Sequence, residues 1–226
     1  MSRPEAAHPA EGPAPTPELA ARPSSPVTAV LALGANLGDP SETLDASVAV
    51  LTVTPGIEAV AASPRALTAP VGGPPGQPDY LNQVVRIRTA LSPWELLGVA
   101  HRLEQDHHRR RTVRWGARTL DVDLIVYGDL TSDHPDLVLP HPRAAERGFV
   151  LLPWAWLDPE AELAGESVAE LGARAADAPH VRREPARTAH LDGPRPDVLR
   201  PDSTPGLPSA PLPDGAAIAR PWSDPT

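Results

Sequence analysis

Proline is distributed very unevenly along this chain, which limits where a hydrophobic core can form. Of its 31 prolines, seven lie in residues 1–26 and eleven lie in residues 179–226. Both stretches are rich in small and polar residues and show no apolar periodicity, as is typical of disordered segments. We therefore expect two disordered tails, 1–26 and 179–226, on either side of one domain formed by residues 27–178.

The residue types that are missing exclude several kinds of site. The chain has no cysteine, and all 20 of its basic residues are arginine. Disulfides, thiolate metal sites and a lysine-dependent phosphate loop are thereby excluded. The net charge of −9 argues against general binding to nucleic acid or membranes. Without a signal sequence or a long apolar run, the protein is expected to be cytoplasmic.

Capping signals and apolar repeats predict the order strand, helix, strand, strand, helix, strand, with two further helices near the end. The expected strands are 27–33, 57–67, 80–89 and 120–127, and the expected helices are 39–55, 92–108, 144–156 and 167–175. Residues 69–79 are too rich in Gly and Pro for a regular element, so they are expected to form a loop. This order predicts a mixed α+β sandwich.

Two aspartates in the last main strand are candidates for a metal site. Strict alternation places Asp121 and Asp123 on one face together with Ile125 and Tyr127, opposite Leu124 and Val126. Carboxylates at positions i and i+2 suit Mg²⁺, which needs only one or two protein ligands beside phosphate oxygens and water. A solvated polar strand face is the alternative interpretation.

A cluster of arginines precedes the aspartates. Arg109, Arg110, Arg111, Arg114 and Arg118 surround an indole at position 115. Guanidinium groups bind phosphate oxygens in a bidentate manner, and an indole stacks on a flat heterocycle. A basic strip for RNA binding is the alternative, although the two aspartates would repel a nucleic-acid backbone.

Taken together, the motifs resemble the 6-hydroxymethyl-7,8-dihydropterin pyrophosphokinase family of folate biosynthesis. LGANLGD at 33–39 resembles the family's GSNLGD, QPDYLN at 77–82 resembles QPDFLN, and RWGARTLDVD at 114–123 resembles RWGPRTLDLD. PHPR at 140–143 and RGFV at 147–150 complete a series that matches in order and spacing. His108 and Ala117 depart from the usual Gly and Pro, which concerns loop closure more than the reaction.

The resemblance implies a ferredoxin-like α+β fold and transfer of pyrophosphate from ATP to the pterin alcohol, giving AMP. It implies that Asp121 and Asp123 bind two Mg²⁺ ions, and that the catalytic residues are Asp121, Asp123, Arg109 and Arg111. The implied ATP-binding residues are Glu104, Arg109, Arg111, Trp115, Arg118, Leu124, His141 and Arg147. The implied pterin-binding residues are Pro70, Gly72, Tyr80, Asn82, Trp115 and Phe149. The substrates are then ATP and the pterin, with no nucleic acid or membrane partner. Neighbouring folate-pathway enzymes are candidate contacts, on which the sequence itself carries no signal.

Three other functions compete with this interpretation. An RNA-binding ferredoxin-like module would need aromatic pairs on central strands, but the chain has one Phe and two Tyr. A magnesium-dependent phosphohydrolase would leave Tyr80, Asn82 and Phe149 without a purpose. A non-catalytic scaffold would have no need of two carboxylates.

Overall fold

The computed structural model describes residues 13–69, 76–107 and 119–185. Its strands are β1 (Val27–Ala35), β2 (Ile57–Ala62), β3 (Ala66–Thr68), β4 (Tyr80–Thr89), β5 (Asp121–Tyr127), β6 (Ser132–His134), β7 (Leu137–Leu139), β8 (Glu162–Leu163), β9 (Glu166–Ser167) and β10 (Arg182–Arg183). Its α-helices are α1 (Pro17–Ala20), α2 (Pro40–Val53), α3 (Pro93–Asp106), α4 (Gly148–Leu157) and α5 (Val168–Arg174).

The main sheet has the ferredoxin-like strand order. Its path is β10, β3, β4, β1, β5, with β2 also paired to β4, and every pairing along it is antiparallel. Strand β1 lies between β4 and β5, and α2 and α3 connect strands that are not neighbours. Each of these two helices crosses over one intervening strand, which confirms the predicted α+β fold class.

Local sequence fixes the starts of α2 and α3. The Asp39 Oδ1 atom accepts from the Glu42 amide at 3.0 Å, and a proline opens the helix. Helix α3 begins with a complete capping box, in which Ser92 and Glu95 each accept from the other's amide. Both caps satisfy amides that would otherwise lack partners, so these helix starts were readable from sequence.

The sheet separates two hydrophobic cores. Helices α2 and α3 cover one face, where Leu31, Leu33 and Val85 lie in the larger buried cluster. Helices α4 and α5 cover the other face, where Val30 and Val84 lie in the smaller cluster. Because adjacent residues of β1 and β4 point to opposite faces, both central strands are buried on both sides.

The predicted second strand is divided in two. Strand β2 ends at Ala62 and β3 begins at Ala66, so three residues lie between them. Ser63 is buried there, and its hydroxyl accepts from the Val84 amide at 3.0 Å. Pro64 follows, and since proline has no amide hydrogen it interrupts the ladder.

A bulge in β5 overturns the predicted alternation after Leu124. Leu31 of β1 pairs with Leu124, but Val30 pairs with Val126, so Ile125 is an extra residue. Tyr127 therefore lies in the core under α3, and Val126 packs against the opposite core. The prediction that placed Val126 with Leu124 and Tyr127 with the aspartates is wrong. Burial raises the pKa of Tyr127 to about 12, and its hydroxyl donates to the Leu91 carbonyl at 2.6 Å.

Residues 13–26 and 179–185, which were predicted to be disordered, contain regular structure. Helix α1 lies within residues predicted to be disordered, and its Leu19 side chain is only 1% exposed. A bidentate ion pair between Arg22 and Glu95 fastens the segment to α3, with Nη2 and Oε1 2.7 Å apart. At the other end, β10 pairs with β3. The tail assignment is wrong for 13–26 and 179–185, because these segments dock through long-range contacts that leave no local periodicity.

In the three described ranges, no helix has the length and apolar character needed to cross a membrane.

Candidate active site

The two aspartates lie on the outer strand of the sheet, on the face covered by α4 and α5. In the β1–β5 ladder, Asp121 is opposite Gly34 and Asp123 is opposite Ala32. Both carboxylates are half-buried. The predicted placement on one strand face is confirmed for this pair.

A row across three strands joins Asp121 to a side chain on β4. Gly34 is opposite Asp121 on one side and opposite Asn82 on the other. Directly opposed residues of antiparallel strands project to the same face, so the amide and the carboxylate flank the glycine. A Cβ at Gly34 would lie 3.0 Å from Asn82 Oδ1, so the missing side chain keeps the space between the two groups open.

The Asn82 amide is held in one orientation. Its Nδ2 atom donates to the Thr68 hydroxyl at 2.8 Å, and the residue is only 7% exposed. Oδ1 is then directed towards the Gly34 backbone. Tyr80, two residues earlier, projects to the same face and is half-buried. Thr68 was missed by sequence reasoning because its partner is 14 residues away and a single Thr carries no local signal.

Two of the sequence motifs touch each other directly. Asn36, which is 2% exposed, donates from Nδ2 to the Pro78 carbonyl at 3.2 Å. This bond connects the turn after β1 to the residues that lead into β4. The Gly34 row and the start of β4 are thereby held together at one end of the sheet.

Asp123 forms the centre of a charged cluster with Arg147 and His141. Its Oδ2 atom is 3.0 Å from Arg147 Nη1 and 3.9 Å from His141 Nε2.

Arg147 reaches this position because it interrupts the predicted helix 144–156. The segment starts as a 3₁₀ turn at 144–146, Arg147 is extended with φ −105° and ψ 99°, and α4 begins at Gly148. The prediction of one continuous helix is therefore wrong at this residue.

His141 is positioned by the bulge in β5. Its main-chain amide donates to the Ile125 carbonyl at 2.8 Å, which uses the carbonyl of the extra residue in that strand. Its Nδ1 atom accepts from the Arg143 amide at 3.2 Å, so the neutral ring carries its proton on Nε2, towards Asp123. Burial lowers the pKa of His141 below its ordinary value, the Asp123 carboxylate opposes that shift, and Arg147 adds to it.

Phe149 lies beside the charged cluster at the start of α4. The guanidinium carbon of Arg147 is 5.6 Å from the centre of the Phe149 ring, which is half-buried. The amides of Gly148 and Phe149 donate to the two carboxylate oxygens of Asp177, at 2.7 and 3.1 Å. Sequence reasoning missed Asp177, because it lies 28 residues beyond Phe149 in a turn without any motif.

Two predicted ATP-site residues have other surroundings. Glu104 is 6% exposed, and its Oε1 atom accepts from the Val122 amide at 3.0 Å. Since Val122 lies between the two aspartates, Glu104 holds their strand in place. Leu124 is 4% exposed in the core under α2 and α3, so its side chain faces away from the aspartates. A contact between Leu124 and ATP would have to come from its main chain.

Several predicted site residues cannot be placed. Arg109, Arg111, Trp115, Arg118, Pro70 and Gly72 lie outside the described residues, as do His108 and Ala117.

The donor atoms at the site fit magnesium. No group of three or more His, Cys, Asp or Glu side chains in the described part of the chain could hold a metal ion by itself. Two half-buried carboxylates on one strand face suit Mg²⁺, which takes its remaining ligands from water and substrate phosphates. The Arg147 contact shows that Asp123 already accommodates a neighbouring positive charge.

Residues 30–159, more than half of the chain, match the family described as 7,8-dihydro-6-hydroxymethylpterin-pyrophosphokinase (HPPK). Three relatives are named 2-amino-4-hydroxy-6-hydroxymethyldihydropteridine pyrophosphokinase. The Synechocystis protein is 40% identical over 148 residues, covering 63% of this chain and 73% of the relative. The Pseudomonas aeruginosa protein is 38% identical over 133 residues, covering 59% and 82%. The Methylorubrum extorquens protein is 41% identical over 142 residues, covering 63% and 89%.

Solved structures show the same fold. A Plasmodium falciparum HPPK-DHPS variant, solved with pterin and p-hydrobenzoate, superimposes with a TM-score of 0.55 at 12% identity. The match covers 73% of this chain and spans about half of that one, 49%. Strand order, the paired aspartates and the matched family model agree, and the chain belongs to the 7,8-dihydro-6-hydroxymethylpterin-pyrophosphokinase family.

Proposed function

We propose that this chain transfers a pyrophosphoryl group from ATP to the hydroxymethyl group of 6-hydroxymethyl-7,8-dihydropterin, in folate biosynthesis. The products are AMP and the pterin diphosphate. The row from Asn82 through Gly34 to Asp121 carries this proposal, because it joins an amide suited to a heterocycle edge to a carboxylate suited to Mg²⁺. The names of the relatives support the same reaction.

The aspartates would hold the magnesium that accompanies ATP. We propose two ions, bound by Asp121 and Asp123 together with phosphate oxygens. Bound there, magnesium would supply positive charge that offsets the charge of the ATP phosphates. Glu104 supports this arrangement by fixing the Val122 amide between the two carboxylates. Asp123 is also proposed to accept the proton of the substrate hydroxyl.

The cluster around Asp123 is suited to bind phosphate. Arg147 offers further N–H donors besides the one directed at Asp123, and guanidinium pairs with phosphate in a bidentate manner. A neutral His141 with its proton on Nε2 can donate one hydrogen bond without adding a full charge. We propose that Arg109, Arg111, Arg118 and Trp115 complete the ATP site, and that Arg109 and Arg111 are also catalytic.

The pterin would lie at the other end of the row. Tyr80 and Phe149 are proposed to stack against its ring, since offset aromatic contacts favour flat heterocycles. Asn82 is proposed to bind the ring edge through Oδ1 and its second N–H, because Thr68 already accepts the first. Pro70, Gly72 and Trp115 are proposed as further pterin contacts.

Contact with other folate-pathway enzymes is a further proposal. The solved neighbours are HPPK-DHPS fusions, so in those proteins the two domains share one chain. A separate pyrophosphokinase could make a similar contact without fusion.

The function is tested by incubating the protein with ATP and Mg²⁺, with and without the pterin alcohol, and measuring AMP. We expect AMP only when the pterin is present. Asp123→Asn should lower turnover by about 100-fold, because it removes a charge that binds the metal in the transition state. Asp133→Asn, which changes an exposed aspartate on β6, is the matched control and should retain full activity. AMP release that does not depend on the pterin would instead identify a phosphohydrolase.

A further inference from the structure

Helix α4 begins in an unusual way, because its first amides are capped from another part of the chain. Arg147 occupies the N-cap position, but its side chain makes no capping hydrogen bond. Both carboxylate oxygens of Asp177 accept instead, one from Gly148 at 2.7 Å and one from Phe149 at 3.1 Å. A charged acceptor at the positive end of a helix makes a stronger bond than a neutral one.

A side chain at Gly148 would crowd this contact at the start of α4. A Cβ at Gly148 would lie 2.8 Å from Asp177 Oδ1 and 3.1 Å from the Ala178 amide nitrogen. Gly172 of α5 similarly lets α4 approach closely, since its Cβ would be 3.1 Å from Leu152 Cδ2. The turn that carries Asp177 is thus packed directly against the first residues of α4.

The residues at this helix start belong to the proposed site. Arg147 is anchored separately, because its guanidinium contacts Asp123 at 3.0 Å. The main chain of Phe149 is held by Asp177 itself. A loss of Asp177 would therefore release Phe149 more than it releases Arg147.

We propose that Asp177 is a positioning residue for pterin binding, which fixes the Phe149 ring by capping α4. This inference rests on the proposed function, and Asp177 lies outside residues 30–159, which match the family model. The substrate need not touch Asp177, since it acts through the backbone amides of α4.

The test compares the full-length protein with Asp177→Ala and Asp177→Asn in steady-state assays of both substrates. Loss of this cap is expected to cost about 1.4 kcal/mol, so Asp177→Ala should raise the KM for the pterin about tenfold. The KM for ATP should stay within about twofold, because Arg147 keeps its contact with Asp123. Asparagine has one acceptor oxygen and can keep only one of the two capping bonds, so Asp177→Asn should restore the pterin KM in part, to within about threefold of wild type.

Asp158→Ala is the matched control, because it removes an acidic side chain from the other end of the same helix. Asp158 pairs with Arg86 on the sheet and does not contact the first turn of α4. This variant should lower thermal stability without changing the pterin KM. Hydrogen exchange of the Gly148 and Phe149 amides should accelerate in Asp177→Ala and not in Asp158→Ala.

Several results would overturn the proposal. An unchanged pterin KM in Asp177→Ala, equal increases in Asp177→Ala and Asp158→Ala, or a failure of Asp177→Asn to rescue would each refute it. If the alanine variant does not fold, Asp177→Ser replaces it, and a wild-type pterin KM in that variant despite faster exchange of the Gly148 and Phe149 amides would have the same meaning. A wild-type protein without pterin-dependent AMP formation would refute the proposed function itself, and this inference with it.

Discussion

Gly34 shows how one missing side chain shapes the proposed site. It occupies the centre of the row between Asn82 and Asp121, where every other residue type would project a Cβ into the space between them. In the sequence, this glycine belongs to the LGANLGD motif at 33–39, where a tight turn between strand and helix explains a glycine. The structure gives a second reason, namely the close approach of the Asn82 amide.

Gly34→Ala should therefore impair pterin binding. The new Cβ would lie 3.0 Å from Asn82 Oδ1, so the amide has to move by a few tenths of an ångström against Thr68. We expect the KM for the pterin to rise about tenfold, which corresponds to losing one well-placed hydrogen bond.

Gly98→Ala is the control for this substitution. A Cβ at Gly98 meets only the Arg102 guanidinium, at 3.5 Å, so alanine fits and raises helix propensity on α3. Its kinetics should equal those of wild type, and its melting temperature should be slightly higher. Equal pterin KM values for the two alanine variants would contradict the role given to Gly34.

At the residue scale, sequence reasoning found the groups with chemistry and missed those that orient them. Asp121, Asp123 and Asn82 stand in motifs whose spacing indicates a site. Thr68 and Asp177 act through hydrogen bonds across 14 and 28–29 residues, and no local pattern encodes such a contact. The site roles of all these residues stay predictions until they are measured.

At the scale of elements, the accuracy of the predictions depended on how far apart in sequence the interacting residues lie. Helix starts at Pro40 and Pro93 were predictable, because their caps lie within three residues. The bulge at Ile125 was not, since a strand's register depends on its partner. The carbonyl of the extra residue Ile125 also accepts the His141 amide, so the bulge positions a residue predicted to bind ATP.

The ion pair between Arg22, which follows α1, and Glu95 of α3 predicts that stability depends on pH. The hydrogen bonds from Arg22 lower the pKa of Glu95 to about 2, from an ordinary value near 4.5. A carboxyl whose pKa is depressed by folding stabilises the native state above its unfolded pKa, and this contribution is lost as pH falls through its folded pKa. The stabilisation should thus be complete at neutral pH and should decline between about pH 4.5 and pH 2.

Thermal unfolding of wild type and Glu95→Gln at pH 7 and pH 3 measures this effect. The variant should melt about one to two degrees below wild type at pH 7, because an exposed ion pair contributes little, and the difference should narrow at pH 3, because part of that contribution is lost as pH approaches the folded pKa of Glu95. Glu58→Gln, which removes another exposed partner of an arginine, controls for the loss of a surface charge. A constant gap at both pH values would argue against the assigned role of Glu95.

At the scale of the whole molecule, the described C-terminal segment closes the sheet edge beside the proposed pterin site. Strand β10 pairs with β3, and the Glu184 amide donates to the Arg65 carbonyl at 2.8 Å. Strand β3 carries Thr68, which orients Asn82. The fold class was predictable from element order, but the extent of the domain was not, since short docked segments resemble tails in composition.

Two truncated chains should distinguish the contribution of β10 to stability and pterin binding from that of the residues after it. A chain that ends after Ala178 loses β10 and the Arg65–Glu184 contact, so we expect a melting temperature lower by several degrees and a higher pterin KM. A chain that ends after Pro185 keeps every described contact and should match the full-length protein in both measurements. Equal behaviour of the two truncated chains would show that β10 is dispensable.

The position of Asp177 and β10 near the end of the described chain also has a consequence during translation. The aspartate pair and Asn82 leave the ribosome well before the residues that cap α4 and cover β3. Because synthesis proceeds at a limited rate, a nascent chain carries the reactive groups for several seconds without the segment that orients them. Substrate binding is therefore expected only after Asp177 and β10 have emerged and docked, well after the residues that bind the substrates have been made.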